Sequence, residues 1–299
     1  MSKKKATPLK QKGGAMAMNA SRWRMVLLFA LPTFLLYFYI CILPMISSVT
    51  TSVYDWSGIG PKTYIGLDNY INIFKDRNFW DAVKNDLLIV LGKEIIIVTL
   101  AVLFAVSMTT AKLHKKETGF LRFLFYIPNI LSVILISMVW KYFFESLDPF
   151  IETRNGLWTD YPLPLIIFVA SWAGIGYYMI VLISAIKNIP KEIFEAAEMD
   201  GATQFRQLWS ITLPEIMPQI RYVIVMVLSG SLAVNMNLVL PLTGGQNHTM
   251  VMGLYVYNAG TASQDIRVGY AYAAAVVLMT ISLVLSLTVN LYLKRKEDR

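Results

Sequence analysis

Asn188-Ile-Pro-Lys-Glu-Ile-Phe-Glu-Ala-Ala-Glu-Met-Asp-Gly-Ala202, running on to Ile211-Thr-Leu-Pro214 and Pro218, decides how the rest of this chain is read. The stretch is polar and lies between two long apolar runs. Asn188 reads as an N-cap, with Pro190 in the first turn, where a missing N–H does no harm. Lys191 to Met199 reads as a short helix, and Asp200-Gly201 stops it because glycine takes the left-handed conformation freely. Thr203 caps a second helix that carries Phe205, Leu208 and Trp209 at i, i+3 and i+4 spacing, and Pro214 ends it. Ala196 and Ala197 keep one face small enough for close approach. Ile193, Phe194, Phe205 and Trp209 supply apolar bulk, and the aromatics among them suit an interface. An amphipathic loop lying on a membrane surface is the plainer alternative. The glycine bend, small-residue face and terminal Leu-Pro together favour a docking element.

The composition sets this loop in a membrane protein. The chain has 299 residues, 56% hydrophobic and 15% charged, with mean hydropathy +0.53. Soluble chains carry about 25% charged residues. A single cysteine, Cys41, excludes an internal disulfide and reads as a small buried hydrophobe. Long uncharged intervals define six spans. The first lies between Arg24 and Asp55 and is broken near Pro44. The second, from about Leu87 to Met108, contains Lys93 and Glu94. The third lies between Arg122 and Lys141, and the fourth between Asp160 and Lys187. The fifth starts after Arg221 and ends near Pro241 and Thr243-Gly-Gly245. The sixth lies between Arg267 and Lys294.

Lysine and arginine orient the spans. Seven fall in the N-terminal tail (Lys3, Lys4, Lys5, Lys10, Lys12, Arg22, Arg24). Four fall in each of loop 2–3 (Lys112, Lys115, Lys116, Arg122), loop 4–5 (Lys187, Lys191, Arg206, Arg221) and the C-terminal tail (Lys294, Arg295, Lys296, Arg299). Seven lie on the opposite side, and Lys93 is within a span. The richer side is therefore expected to be cytoplasmic, with both termini inside and the loop 188–218 facing the cytoplasm. The expected organisation is a basic tail 1–24, a six-helix domain 25–293 and a short tail 294–299. Topology and anionic lipid account for the net charge of +8, and no motif for nucleic acid accompanies it. The chain lacks the Gly-x-x-x-x-Gly-Lys-Ser/Thr loop that holds nucleotide phosphates. No nucleophile–base set can be named, so no intrinsic catalysis is expected. His114 and His248 fall on opposite faces and cannot share a metal, so no metal site is expected.

Glu195, Ala196, Ala197, Gly201, Ile211, Leu213 and Pro214, with Asp200 and Ala202, resemble the EAA motif of permeases in binding-protein-dependent ABC importers. Gly174-Ile-Gly-Tyr177, Ile189-Pro190, Leu242-Thr-Gly-Gly245 and Gly253-Leu-Tyr-Val-Tyr257 are similar to the carbohydrate-uptake branch, the maltose, lactose and glycerol-3-phosphate permeases. The resemblance implies an all-α membrane fold of six helices with a coupling helix at the loop. It implies a second homologous permease, two ATPase subunits that hold ATP and Mg, an extracytoplasmic solute-binding protein and a sugar, with an oligosaccharide as the expected cargo. No cofactor is expected on this chain itself. Glu195 would meet a basic residue of the ATPase, Gly201 would make the bend, and Ala196, Ala197, Asp200, Phe205, Leu213 and Pro214 complete the coupling set.

The sequence departs from that pattern in three places. The segment 145–163 is short and lacks the usual Gly-x-x-Asn richness. Asn235 and Asn237 stand where an aromatic-Asn-x-aromatic-Asp run is common. Lys93-Glu94 interrupts span two. Polar groups inside spans pair or face water, so Lys93 and Glu94 are each expected to snorkel or to pair with another helix or the second permease, with a role in the pathway as the alternative. The rival function is a self-contained secondary transporter that uses these two as a proton relay. Asn235 and Asn237 lie about 200° apart on a helix, so one of them is a candidate to bond sugar hydroxyls. Trp172, Tyr177 and Tyr178 are candidates to stack on sugar rings.

Overall fold

The computed structural model describes residues 20–110, 115–151, 154–262 and 266–297. Lys3, Lys4, Lys5, Lys10, Lys12, Lys112, His114 and Arg299 lie outside the described residues. The chain forms two compact units, 1–50 and 51–299.

In the first unit, α1 (Ala20–Tyr37) passes through a π-helical turn at Phe38–Ile42 into α2 (Leu43–Thr51). The expected break at Pro44 does not occur. A proline ring collides with the carbonyl four residues back. Here the turn ahead of it is widened, with the Leu43 N–H bonding back to the Phe38 carbonyl. Met25–Thr51 is therefore one continuous apolar span. Leu28 and Phe29 are among its many exposed large side chains, as expected for a helix bathed in lipid.

The second unit opens with a short antiparallel hairpin, β1 (Tyr54–Asp55) and β2 (Thr63–Tyr64), which pairs Tyr54 with Tyr64 and Asp55 with Thr63. The helices α3 (Asp68–Lys75) and α4 (Arg77–Thr110) follow. The segment 55–85 is thus folded, and the helix of span two starts at Arg77, well before the expected Leu87.

Span three is two helices rather than one, α5 (Lys115–Ile130) and α6 (Val133–Leu147), meeting at 99°. Pro128 weakens the end of α5, and Ser132 is extended (φ −61°, ψ 136°), which no α-helix accommodates. Next come α7 (Leu157–Asp160), α8 (Pro162–Lys187), α9 (Lys191–Met199), α10 (Gln204–Gln207), α11 (Leu213–Glu215), α12 (Met217–Thr243), α13 (Met252–Tyr257) and α14 (Val268–Glu297). Pro241 lies inside α12, and Gly244 in the left-handed conformation (φ 63°) ends it. Among the described residues, four helices are long and apolar enough to cross a membrane alone, and six spans result if each of two bent pairs counts once.

Small residues let these helices approach. The parallel helices α4 and α8 pack with Gly92 against Ile167 and Gly174 against Ile97, while Ala101 and Ala105 are fully buried. Gly176 lies so close to α5 that any side chain there would strike the Phe125 carbonyl. The core has a cluster beside the loop 188–218, an elbow between α8 and α12, made of Ile97–Met108, Ile175–Ile186, Ile216, Ile220 and Val223. Two further clusters lie toward the opposite end, around Phe79, Tyr255 and Tyr270, and around Ile166, Leu242 and Leu254.

Candidate functional site

The loop 188–218 folds into a bent, capped element. Its first helix spans Lys191–Met199 as expected, but Asn188 is not its N-cap. That residue is the C-cap of α8, and Pro190 (φ −58°, ψ 135°) is the N-cap of α9. The apolar run keeps α8 helical to Lys187, leaving three residues, Asn188, Ile189 and Pro190, to turn the chain. At the other end, Gly201 adopts φ +75°. The Ala202 N–H bonds to the Ala197 carbonyl (2.9 Å) and the Gly201 N–H to the Glu198 carbonyl (3.0 Å). This 6→1 and 5→2 pattern is a Schellman stop, and it needs a left-handed residue at that position. Thr203 Oγ1 accepts the Arg206 N–H (3.3 Å), so the second helix is capped as expected.

The second helix does not end at Pro214. It runs through a π-helical turn at Leu208–Thr212, where the Leu213 N–H bonds to the Leu208 carbonyl, and continues as α11. The solution is the one used before Pro44. The real bend, 61°, comes at Ile216, between α11 and α12.

The elbow is anchored at its ends and presents one exposed face between them. Ile189 and Ile216 are buried in the core cluster with Met108 and Ile186. Between these anchors, Glu195, Ala196, Asp200, Gly201 and Pro214 are exposed, and Ala197, Ile211 and Leu213 are half-buried. Met199, Phe205 and Trp209 are 90%, 70% and 59% exposed. The Phe205 and Trp209 rings meet edge to face at 6.1 Å. A cleft of about 510 Å³ separates the elbow from the ends of α4 and α8, near Thr109, Thr110 and Lys187. Phe194, Ile211 and Leu213 also pack against that core cluster, and Gln207 and Thr212 are buried, so the element is seated on the helices behind it.

The polar groups inside the bundle form one chain. Asp86 Oδ1 accepts from Asn235 Nδ2 (2.7 Å), and Asn235 Oδ1 accepts from Lys93 Nζ (3.1 Å). Asp86 Oδ2 accepts the Met252 N–H (2.7 Å). Asn85 Nδ2 donates to the His248 and Met250 carbonyls (2.7 and 2.9 Å). Asn85, Asp86 and Asn235 are buried. Lys93 thus finds the partner on another helix that was expected. Both Glu94 carboxylate oxygens are shielded and have no hydrogen-bond partner among the described residues.

This chain of bonds places Asn235 inside the bundle, between Lys93 and Asp86. Its amide oxygen and nitrogen are both engaged inside the protein, so it joins span five to span two. Asn237 is exposed. Trp172 belongs to an aromatic cluster, edge-on to Trp140 at 5.3 Å, and Tyr177 and Tyr178 pack edge to face at 5.0 Å. Sequence reading missed Asn85 and Asp86 because their partners lie more than 140 residues away; an Asn-Asp pair at the mouth of an apolar run was the only local sign.

Comparison with known proteins shows the family of the chain. The family described as binding-protein-dependent transport system inner membrane component matches residues 97–298. The probable starch degradation products transport system permease protein of Thermoanaerobacterium thermosulfurigenes is 27% identical, covering 91% of this chain and 94% of that protein. The probable ABC transporter permease protein YurN of Bacillus subtilis is 32% identical, covering 87% and 92%. A bacterial alginate ABC transporter, solved in complex with its alginate pentasaccharide-bound periplasmic protein, contains a chain of the same fold (TM-score 0.80, 23% identity, 93% and 96% covered). The matched region holds the elbow, its two anchors and every helix from mid-α4 onward, and the chain belongs to the family of inner membrane components of binding-protein-dependent transport systems.

Proposed function

We propose that this chain is the translocation subunit through which an ATP-driven importer moves an oligosaccharide into the cytoplasm. The observation that carries the reading is the elbow: capped at both turns, fixed at Ile189 and Ile216, and presenting Glu195, Met199, Phe205 and Trp209 to a partner. Aromatic side chains exposed on a rigid element are the usual anchors of an interface.

In this reading the partner is a pair of ATPase subunits, which bind ATP and Mg. When they close, the groove holding the elbow moves, and Ile216 and Ile189 carry the displacement into α12 and α8. That is a two-state element biased from a distant site. A second, homologous permease completes the pathway, and a solute-binding protein delivers the sugar from outside. The excess of Lys and Arg on the elbow side supports the cytoplasm as its location, with both termini inside. Permeases named for starch products and alginate support the saccharide class. The chain itself carries out no bond chemistry. The rival reading, a transporter powered by Lys93 and Glu94, is disfavoured by the family and by Lys93 being tied to Asn235.

The test is co-purification followed by transport. The chain is expected to be recovered with an ATPase and a second permease, and the complex in proteoliposomes should accumulate saccharide only with ATP and binding protein. Recovery as a single species that transports without ATP would overturn the proposal.

A further inference from the structure

The end of the bundle opposite the elbow holds a cleft of about 620 Å³ that none of the coupling argument uses. Its floor is a hydrogen-bonded relay. The Tyr255 hydroxyl donates to Asp76 Oδ2 (2.6 Å) and lies 2.6 Å from the Tyr270 hydroxyl. Since Tyr255 spends its proton on Asp76, Tyr270 donates to Tyr255, which leaves the Tyr270 oxygen able to accept. Burial, then the bonds to Asp76 and Tyr270, hold the Tyr255 phenol protonated well above its ordinary range. The rim carries Asp81, His248, Asn258 and Arg267, the last with its guanidinium 4.4 Å over the Tyr270 ring.

One wall is strained and fixed. Gly244, Gly245, Asn247 and His248 all have positive φ (63°, 80°, 53° and 60°). Non-glycine residues there cost about 1–2 kcal/mol each. The turn is nevertheless pinned by Asn85 on the His248 and Met250 carbonyls, by Asp86 on the Met252 N–H, and by Asn247 Nδ2 on the Trp158 carbonyl (3.3 Å). Strain retained by over-determined contacts marks sites built for binding.

We infer that this cleft is a saccharide subsite outside the bilayer, and that it favours neutral sugars over acidic ones. The inference rests on the importer reading and adds a site to it. The volume falls within the range of about 300–1,000 Å³ typical of small-molecule sites. Carboxylates that accept, a guanidinium that donates and an amide that does both match the adjacent hydroxyls of a sugar ring. Two carboxylates, Asp76 and Asp81, face one guanidinium, so the lining repels a uronate.

The test uses the full importer complex with Cys41→Ser and Asn78→Cys, Asn78 lining the cleft and being exposed on the first turn of α4, which leaves both carboxylates and Arg267 in place. Labelling by a membrane-impermeant thiol reagent is timed with maltotriose, diacetylchitobiose, raffinose or trigalacturonate, without binding protein. At twice its dissociation constant, a neutral sugar should slow labelling about threefold. Trigalacturonate should not, and an exposed control, Ser146→Cys, should label at an unchanged rate. Equal rates with every sugar, in a complex that still performs ATP-driven uptake, would overturn the subsite and leave the importer reading standing. Protection by trigalacturonate alone would overturn the preference for neutral sugars. Protection by binding protein and by no sugar would make the cleft a protein-docking face and overturn the inference.

Discussion

Gly201→Ala isolates the geometry of the elbow from its chemistry. A Cβ built on Gly201 meets nothing within 4 Å, so the substitution introduces no collision. What it changes is the backbone preference at φ +75°, a conformation that disfavours an L-residue by about 1–2 kcal/mol. The penalty falls on the Schellman stop alone, because the helices on either side and the anchors Ile189 and Ile216 are untouched. If docking needs this bend, the docking-competent fraction falls about 5- to 30-fold. Gly201→Asn should lose less, since Asn visits the left-handed region more readily. The assay is ATP hydrolysis and saccharide uptake by the same purified complex, with membrane insertion checked by yield. The expected result is normal yield, reduced ATPase co-purification and reduced uptake, with Asn between Gly and Ala. Wild-type coupling in Gly201→Ala, or equal loss in Ala and Asn, would refute the argument that conformation at this residue matters.

Four further outcomes follow from the packing and the polar chain. Phe205→Ala and Trp209→Ala should each weaken ATPase capture by about 2 kcal/mol, roughly 30-fold, while the permease inserts normally; pull-down against free ATPase subunit reads this. Gly176→Ala should destabilise the detergent-solubilised protein by about 3 kcal/mol or more, because its Cβ strikes the Phe125 carbonyl. Gly119→Ala, in open space on α5, should be neutral or slightly stabilising; thermal unfolding compares the two. Asn235→Ala leaves both Lys93 and Asp86 without that partner and should cost about 3–5 kcal/mol with loss of assembled complex, whereas Asn237→Ala should assemble normally. Asp86→Asn keeps a neutral acceptor for one of its two donors only, so the turn 244–252 should loosen by about 1–3 kcal/mol and become more accessible to protease.

What the sequence disclosed was local. The glycine stop, the Thr203 cap and the aromatic spacing of the elbow are set within a few residues, and the structure shows each of them. The boundaries were less legible. Asn188 is a good N-cap by type, but α8 claimed it as a C-cap because the apolar run before it kept its helical bonds. Pro44 and Pro214 are helix breakers by type, yet each follows a five-residue π turn, a device with no residue signature. The bend at Leu131–Ser132 was hidden because an uncharged interval looks the same whether its helix is straight or folded. Asn85, Asp86 and Asn235 form one polar chain across three remote segments, and nothing in periodicity or spacing announces a contact of that range. For the same reason the bonds of Asn235 to Lys93 and Asp86 could not be read from its place in the run.

The central claim is that the bundle has no motive force of its own and takes it from a nucleotide-hydrolysing partner through the elbow. Accumulation of radiolabelled saccharide in proteoliposomes tests this directly, comparing the chain alone, the two permeases, and the full complex with binding protein and Mg-ATP. The account predicts uphill accumulation only in the last, abolished when ATP is replaced by a non-hydrolysable analogue. Uphill accumulation by the chain alone, driven by a proton gradient, would contradict it.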